Sequence, residues 1–353
     1  MVMHPHLMLD PGDLVKGRAA LHHAGVLIRD APLVQSDDGR IGIPAMSMVE
    51  VGLGAWEHHA LRTRAARDPH ERLRRAVASL DGITEAHLES LPKRWERLQD
   101  LILLPVHAFE DDLWNGIDRP SLHDAILGAF RAERLGRQGP IKPGALRRPS
   151  VQMLVGSEGW VEHQEHGVRY GFDVTRVMFS SGNVSERGRI GEMDLSGEVV
   201  VDAFAGIGYY TLPMLVRGRA RHVHACEMNP DSLRGLRWGL SANGVDDRCT
   251  VHAGDNADHL PSLAGCADRV HLGLLPTSEG AWASGAKALR IEGGCMHIHA
   301  NVKEERVESE GNRILASIRE ILGVMPELTH VERVKWYAPR VLHAVYDLRV
   351  PAR

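Results

Sequence analysis

Val199-Val-Val-Asp-Ala-Phe-Ala-Gly-Ile-Gly-Tyr-Tyr-Thr-Leu-Pro213 reads as a buried strand, a glycine turn and the start of a helix. The run of valines suits a parallel strand covered on both faces, and Asp202 then falls at its carboxyl end, where open α/β sheets place ligands. Gly206 and Gly208 carry no Cβ, so the backbone can approach a small molecule closely. A dinucleotide fingerprint would continue G-x-G-x-x-G, but Thr211 stands where the third glycine belongs. No Gly-Lys-Ser/Thr follows, which excludes a P-loop. Asp202 is also a poor neighbour for a pyrophosphate. It suits a cofactor carrying an ammonium and a cationic sulfur, so the charge of the loop favours S-adenosylmethionine over NAD.

The next strands extend the pattern. Residues 222–226 predict a second strand ending in Glu227, and Asn229-Pro230 hands over to a helix containing Leu233, Leu236 and Leu240. A carboxylate at that strand end can accept both hydroxyls of a ribose. Residues 248–253 predict a third strand closed by Gly254-Asp-Asn256, which places Asp255 to accept an adenine amino group. One such acid alone would read as a solvated loop carboxylate or helix cap; acids after each of the first three strands form a set. Further strands are expected at 267–272 and 293–300, helices at 281–289 and 312–323, and a closing antiparallel pair at 330–337 and 343–350. This succession predicts an α/β fold, a Rossmann-like class I S-adenosylmethionine-dependent methyltransferase sheet of seven strands, with a smaller N-terminal α+β domain.

A chain of 353 residues is long for one core. The expected division is a weakly patterned region at 1–80, an α+β domain with a strand-rich end at 81–176, and the cofactor-binding catalytic domain at 177–353. Within the first two, 20–28 predicts one element, 39–44 a turn and an edge strand, 71–80 a helix and 95–105 a strand ending at Pro105. Ser121 is expected to cap a helix over 122–135, and Val151, Met153 and Val155 alternate. Residues 160–174 read as a twisted hairpin around His166-Gly167 in the N-terminal domain. Residues 178–189 read as a linker that could line the active-site mouth.

Hydrophobic residues at 43% and charged residues at 25% describe an ordinary folded protein. Cys226, Cys249, Cys266 and Cys295 have no zinc spacing and read as reduced thiols. No run approaches the length of a membrane span, and the first residues lack a basic and then apolar leader pattern, so a cytoplasmic protein with no membrane partner is expected. Nothing suggests a coiled coil or symmetric repeat, and a monomer is expected. The histidines His163, His166, His297 and His299 lack a carboxylate or cysteine constellation, so no metal is expected; His297 and His299 should share one face of a strand. A net charge of −4 excludes a general nucleic-acid coat but permits a local basic patch. Arg131, Arg134, Arg137, Lys142, Arg147 and Arg148 form one such cluster; Arg187, Arg189, Arg217, Arg219 and Arg221 form another.

Asp202-Ala-Phe-Ala-Gly-Ile-Gly-Tyr-Tyr-Thr-Leu-Pro213, Ala225-Cys-Glu-Met-Asn-Pro230 and Gly254-Asp-Asn256 resemble the family of tRNA guanosine-37 methyltransferases and their wybutosine-pathway relatives. The loop His271-Leu-Gly-Leu-Leu-Pro-Thr-Ser-Glu-Gly-Ala-Trp282 looks like the aminocarboxypropyltransferase branch; the methyltransferase branch would show an Asn-Leu/Pro-Pro loop. Gly159-Trp-Val-Glu-His163, Phe172-Asp-Val-Thr175, Met178-Phe-Ser-Ser-Gly-Asn183 and Val334-Lys-Trp-Tyr-Ala-Pro339 add to the resemblance, which covers roughly residues 90–350. It implies transfer of the 3-amino-3-carboxypropyl group of S-adenosylmethionine to carbon 7 of 4-demethylwyosine at position 37 of phenylalanine tRNA, leaving 5′-methylthioadenosine. All three carbons on the sulfonium are activated, so the protein must select one by geometry.

By motif position the resemblance implies cofactor contacts from Phe179, Ser180, Arg187, Asp202, Phe204, Gly206, Gly208, Glu227, Asp255, Asn256 and His271. It implies an active-site mouth of Ser181, Asn183, Glu186 and Arg189, and a base pocket shaped by Leu274 and Pro276 with polar contacts from Ser278 and Glu279. Asn183, Glu186, Arg189 and Glu279 are the catalytic candidates, with Glu279, a phosphate or water taking the departing proton. Arg147 and Arg148 are candidates for the RNA surface. The family pattern has Asn where this chain has His271, whose neutral ring can likewise donate one hydrogen bond and accept another. The alternatives are a tRNA guanosine-37 N1-methyltransferase and a non-catalytic tRNA-binding protein.

Charge reversal at Arg147 and Arg148 is expected to weaken tRNA binding more at low salt than at high salt. Binding titrations across a salt series check this; unchanged affinity would place the RNA surface elsewhere.

Overall fold

The structure, a computed structural model, describes residues 3–28, 32–60, 68–140 and 149–353. Lys142, Arg147 and Arg148 of the expected basic cluster lie outside the described residues. Two compact units divide the chain: Met1–Lys93 with Asn115–Phe130, and Arg94–Trp114 with Arg131–Arg353. The breaks expected at 80 and 176 do not coincide with this division.

In the first unit the strand Met3–Leu9, which the sequence reading missed, is central to a small antiparallel sheet. Ile41–Pro44 pairs on one side of it and Ala55–Ala60 on the other, with Val34–Gln35 beyond Ile41–Pro44. Ile41–Pro44, expected at an edge, is therefore interior. Leu7, Leu9 and Ile43 pack with Leu21 of the helix Leu14–His23. The helix expected at 71–80 spans Pro69–Ala78, started by the Asp68 carboxylate accepting the His70 amide at 2.9 Å. It packs beside the helix Arg119–Phe130, where Arg72 Nε donates to the Ala129 carbonyl at 2.8 Å. That helix begins before Ser121, because Asp118 accepts the Ser121 amide at 2.9 Å. It ends at Phe130, Arg131 follows at φ 51°, and Arg134–Arg137 is a strand rather than a last helical turn.

The second unit joins three pieces of sheet. The strand expected over 95–105 is a hairpin, Glu96–Leu98 and Leu101–Leu104, turned at Gln99 with φ 56°. Arg134–Arg137 and Gln152–Val155 complete that four-stranded sheet. The hairpin Trp160–Glu165 and Val168–Asp173 turns at His166 and Gly167, with φ of 50° and 79°, as a two-residue connection requires.

The largest sheet has seven strands: β1 (Val199–Asp202), β2 (His222–Glu227), β3 (Cys249–Ala253), β4 (Arg269–Leu272), β5 (Gly294–Lys303), β6 (Glu327–Ala338) and β7 (Val341–Val350). Their order is β3-β2-β1-β4-β5-β7-β6, parallel from β1 to β5 and antiparallel at β7 and β6. The helices α1 (Val184–Glu192), α2 (Thr211–Val216), α3 (Pro230–Asn243), α4 (Asn256–His259), α5 (Trp282–Ala288) and α6 (Val307–Leu322) accompany it. Every residue of β1 is buried. Val200 faces one core with Val223 and Leu236, and Val201 faces the other with Met296 and Ile318, as the two-residue period of a strand demands.

The first of these cores also holds Leu101, Leu103, Tyr170 and Phe172. The small sheet and the hairpin therefore share their apolar interior with the large sheet, which is why the expected boundary at 176 falls inside a unit. No helix among the described residues is long and apolar enough to cross a membrane. The cysteines form no disulfide, and burial pushes the Cys226 and Cys249 thiols up to about 12.

The hairpin is tied to α1 by a buried ion pair. Arg187 donates from Nε and Nη2 to the two oxygens of Glu165, at 2.7 and 2.8 Å, and its guanidinium lies 4.6 Å from the Phe179 ring centre. Burial raises the pKa of Glu165, but the hydrogen bonds from Arg187 and His163 override it and hold the carboxyl at about 2. A depressed carboxylate stabilises the fold above its unfolded pKa and loses that contribution as pH falls through its folded pKa. Glu165→Gln is thus expected to cost about 3–5 kcal/mol at neutral pH, by stranding a buried guanidinium. The gap to the native chain should narrow between pH 4.5 and about 2. Denaturant melts over that range check the prediction, and a gap independent of pH would refute it.

Candidate active site

The chain crosses from β1 to α2 over a short loop whose geometry begins with Asp202. Its carboxylate has no exposed surface; it accepts the Thr211 hydroxyl at 2.7 Å and the Phe204 amide at 3.3 Å. Gly206, at φ 58°, donates its amide to Glu227 Oε2 at 2.7 Å, and the Asn229 amide donates to Glu227 Oε1 at 2.6 Å. The loop after β1 and the end of β2 are thereby held together. Gly208, at φ 94°, serves packing: a Cβ there would come within 2.6 Å of Leu212 and 3.1 Å of Leu236.

A groove with two lobes opens over these strand ends. One lobe, about 520 Å³, is bordered by Phe204, Glu227, Asp255, Asn256, Pro276 and Ser278. The other, about 420 Å³, is bordered by Asn183, Gly206, Tyr209, Tyr210, Lys335 and Tyr337. Phe204, Glu227, Met228, Leu274 and Leu275 border both. The groove lies where the strand order reverses beside β1, the position at which doubly wound sheets bind ligands. The Asp255 carboxylate caps α4 through the Ala257 amide at 2.9 Å, and Asn256 Nδ2 donates to the Ala203 carbonyl at 3.1 Å. Ser278 Oγ accepts the Trp282 indole N–H at 3.1 Å.

Electrostatically the groove is mild. Burial raises the Glu227 pKa, opposed by the amides of Asn229 and Gly206. Burial also raises the Tyr209 and Tyr210 phenols, which stay protonated as donors. Tyr209 gives its hydroxyl to the Met178 carbonyl. Tyr210 and Asn183 border the second lobe, and the Tyr210 hydroxyl and the Asn183 Oδ1 atom are buried without a hydrogen-bond partner.

Several expected site residues lie elsewhere. Residues 181–192 form a 3-10 turn and α1 rather than a linker, and the helical period turns Glu186 and Arg187 into the core. Glu186 takes both Arg189 contacts at 2.8 Å, and Arg189 Nη1 also donates to Asp347 at 2.6 Å. These candidates border neither lobe. Arg187 is spent on Glu165, and Phe179 stacks on Phe172 with ring centres 5.1 Å apart. Asp202 lies beneath the groove rather than on its wall.

His271 is fully buried below the floor. Its Nε2 meets His299 Nε2 at 3.1 Å, and His299 Nδ1 meets His343 Nε2 at 3.0 Å. Burial pushes His299 and His343 down, the latter to about 4, so these rings are neutral at neutral pH. Glu279 is exposed and paired with Arg313 at 2.8 Å, outside the groove. Ser181 donates to Glu96 at 3.0 Å beside a separate cavity.

On the groove itself stand Ser180, Asn183, Phe204, Gly206, Glu227, Asp255, Asn256, Leu274, Pro276 and Ser278. The sequence reading missed Tyr209, Tyr210, Met228, Leu275, Lys335 and Tyr337 on its walls. The two tyrosines follow the glycine turn directly, and Lys335 and Tyr337 fall in the stretch Val334–Pro339; a signal was present for both, without a direction for the side chains.

A family model described as TRM5/TYW2 methyltransferase domain matches residues 161–322, and one described as TYW2 N-terminal domain matches residues 76–159. The tRNA wybutosine-synthesizing protein 2 homolog of Homo sapiens is 46% identical over 319 residues, with 74% of this chain and 70% of that relative covered. The tRNA wybutosine-synthesizing protein 2/3/4 of Arabidopsis thaliana is 44% identical over 294 residues, which are 81% of this chain but 29% of that protein; the chain thus spans less than a third of its length. The crystal structure of Pyrococcus horikoshii TYW2 in complex with MeSAdo is similar with a TM-score of 0.68 and 29% identity, over 80% of this chain and 100% of that one. With this sheet order, this groove and these matches, the chain belongs to the TRM5/TYW2 methyltransferase family.

Proposed function

We propose that the chain is an S-adenosylmethionine-dependent transferase that moves the 3-amino-3-carboxypropyl group to carbon 7 of 4-demethylwyosine at position 37 of phenylalanine tRNA and releases 5′-methylthioadenosine. The observation that carries this reading is the groove over the strand ends, whose second lobe is bordered by Tyr210 and Asn183, each with a polar atom left without a partner. A Tyr210 hydroxyl kept protonated by burial suits a carboxylate, and the Asn183 oxygen suits an ammonium. Together they complement the amino acid end of the cofactor.

The first lobe complements a nucleoside. Glu227, at the junction, would take the ribose hydroxyls; Asp255 and Asn256 would face the adenine edge; Phe204 and Pro276 supply apolar walls. When bound, S-adenosylmethionine supplies a sulfonium whose bond to the aminocarboxypropyl carbon breaks with its electron pair left on sulfur. The chain's own part is positioning: Tyr210 and Asn183 would fix the arm in the second lobe, so that its carbon faces the acceptor. The match to a TYW2 N-terminal domain supports arm transfer over methyl transfer. So does the MeSAdo of the Pyrococcus horikoshii complex, the thioether that loss of the arm leaves. Trp336 and Tyr337, 56% and 50% exposed on β6, offer faces for unpaired bases.

Glu227→Ala and Asp255→Ala are expected to weaken S-adenosylmethionine binding before they affect RNA binding, roughly tenfold each for a lost hydrogen-bonded contact. Unchanged affinity by calorimetry in both would overturn their assignment. Tyr210→Phe should lower affinity for S-adenosylmethionine but leave that for 5′-methylthioadenosine, which lacks the arm, unaltered; equal losses for both ligands would remove Tyr210 from the arm site. The deciding experiment is mass spectrometry of tRNA bearing 4-demethylwyosine after incubation with S-adenosylmethionine. Gain of the aminocarboxypropyl group with release of methylthioadenosine is expected, whereas gain of a methyl group would favour methyl transfer.

A further inference from the structure

Three buried histidines link neighbouring strands beneath the groove: His271 on β4, His299 on β5 and His343 on β7. Their two contacts, His271 Nε2 to His299 Nε2 at 3.1 Å and His299 Nδ1 to His343 Nε2 at 3.0 Å, each need one N–H and one bare nitrogen. Burial pushes His299 well down and His343 down to about 4, so each of these two rings carries a single proton at neutral pH. The Asp202 carboxylate, 3.7 Å from His271 Nδ1, favours the His271 tautomer with its proton on that nitrogen. His271 Nε2 then accepts from His299, and His299 Nδ1 accepts from His343, which gives the chain one direction. Tyr210, the residue before α2, packs against two of these rings. Its ring centre lies 4.2 Å from that of His271 and 5.1 Å from that of His299, the latter edge to face. Gly273 rests on the same pair: a Cβ there would come within 2.9 Å of His271 Cε1 and 3.5 Å of Tyr210 Cδ2. Tyr210 and Gly273 both border the second lobe, and His271 borders neither lobe.

We propose that His271 is a positioning residue: it backs the Tyr210 ring and, through Tyr210, sets how firmly the second lobe holds the aminocarboxypropyl arm of the cofactor. This role rests on the transferase reading above and deepens it. The hydrogen-bonded chain fixes the orientation of the His271 and His299 rings, because turning either one breaks a bond to a ring on the next strand. Tyr210 is thereby held against two fixed surfaces rather than one mobile side chain. The backbone at Gly273, lying on the same rings, sets the floor beside it. An asparagine at position 271 would offer a donor and an acceptor but no ring to back the tyrosine. A lost aromatic contact changes an equilibrium by about two- to tenfold. The departure from the family pattern at His271 thus falls where it affects the arm and not the nucleoside, whose lobe is bordered by neither His271 nor Tyr210.

The test compares the affinities of the full chain for S-adenosylmethionine and for 5′-methylthioadenosine, which lacks the arm. His271→Asn should weaken S-adenosylmethionine binding about fivefold and leave methylthioadenosine binding within about twofold, the latter also reporting that the variant is folded. In a Tyr210→Phe background the same substitution should change neither affinity by more than about twofold, because the hydroxyl it positions is gone. His343→Leu, which removes the donor at the far end of the chain, should shift the ratio of the two affinities in the same direction as His271→Asn. His343→Gln, whose amide N–H can still donate to His299, should keep the native ratio. An unchanged ratio in His271→Asn, or equal losses for the two ligands, would overturn the assignment, as would an undiminished effect in the Tyr210→Phe background. If His271→Asn does not fold, the His343 variants decide, and equal ratios in the two overturn it. None of these measurements involves RNA. Gain of a methyl group by the tRNA would therefore defeat the aminocarboxypropyl reading separately, while the ratio still decides whether His271 acts on the arm.

Discussion

The rest of the site depends on a carboxylate that sees no water. Asp202 ends β1 in the middle of the sheet, and its charge is tolerable there only because the Thr211 hydroxyl and the Phe204 amide donate to it. Those two bonds fix how the chain leaves the strand and enters α2. The intervening backbone is thereby set so that the Gly206 amide meets Glu227, locking β1 to β2 at their carboxyl ends. Phe204 is left on one side of the crossing and Tyr210 on the other, each bordering the groove. Asp202, expected as a ligand contact, acts instead as the anchor from which the contacts are hung.

A second buried polar layer positions the other wall. Glu186 and Arg189 on α1 join Asp347 on β7; Asp347 meets His297 Nδ1 at 2.6 Å, and His297 Nε2 meets Arg269 on β4 at 2.7 Å. Arg269 donates to His297 Nε2, so the histidine proton sits on Nδ1 and is given to Asp347. Burial pushes His297 down to about 4, and its bond to Asp347 opposes that without reversing it. The layer holds α1 against the sheet, which leaves Ser180 and Asn183, just before the helix, facing the groove. Buried ion pairs of this kind add little net stability relative to an apolar core, but losing one partner is costly. Their evident effect here is to define the helix orientation.

Much of the large sheet was legible because local pattern and tertiary environment agree. The valines of β1, the strand ends at Glu227 and Asp255, the Asn229-Pro230 helix start and the closing antiparallel pair stand as read, within a few residues. The first unit was harder. Its central strand Met3–Leu9 carries His4, Pro5 and His6 in its first half, and Ile41–Pro44 looks like an edge until Val34–Gln35 covers it. Residues 95–105 show an apolar run that hides the turn at Gln99, a residue whose positive φ is set by the pairing on either side.

For the site, the strand-end groups were legible from the chain alone: Phe204, Gly206, Glu227, Asp255 and Asn256 follow successive strands of a parallel sheet and so emerge on one edge. That inference needs only strand direction and order. Tertiary structure decided which charged residues reach the groove and which are spent beneath it. Glu186, Arg187 and Arg189 sit in a promising motif, yet a helix rather than a loop turns the two arginines toward Glu165 and Asp347, partners that lie well apart from them in sequence, and pairs Glu186 with Arg189. His271 is likewise claimed by His299 from the neighbouring strand. Spacing along a chain cannot reveal such partners, because a buried charge goes where its counter-charge is, and that is settled only when the sheet and helices have packed.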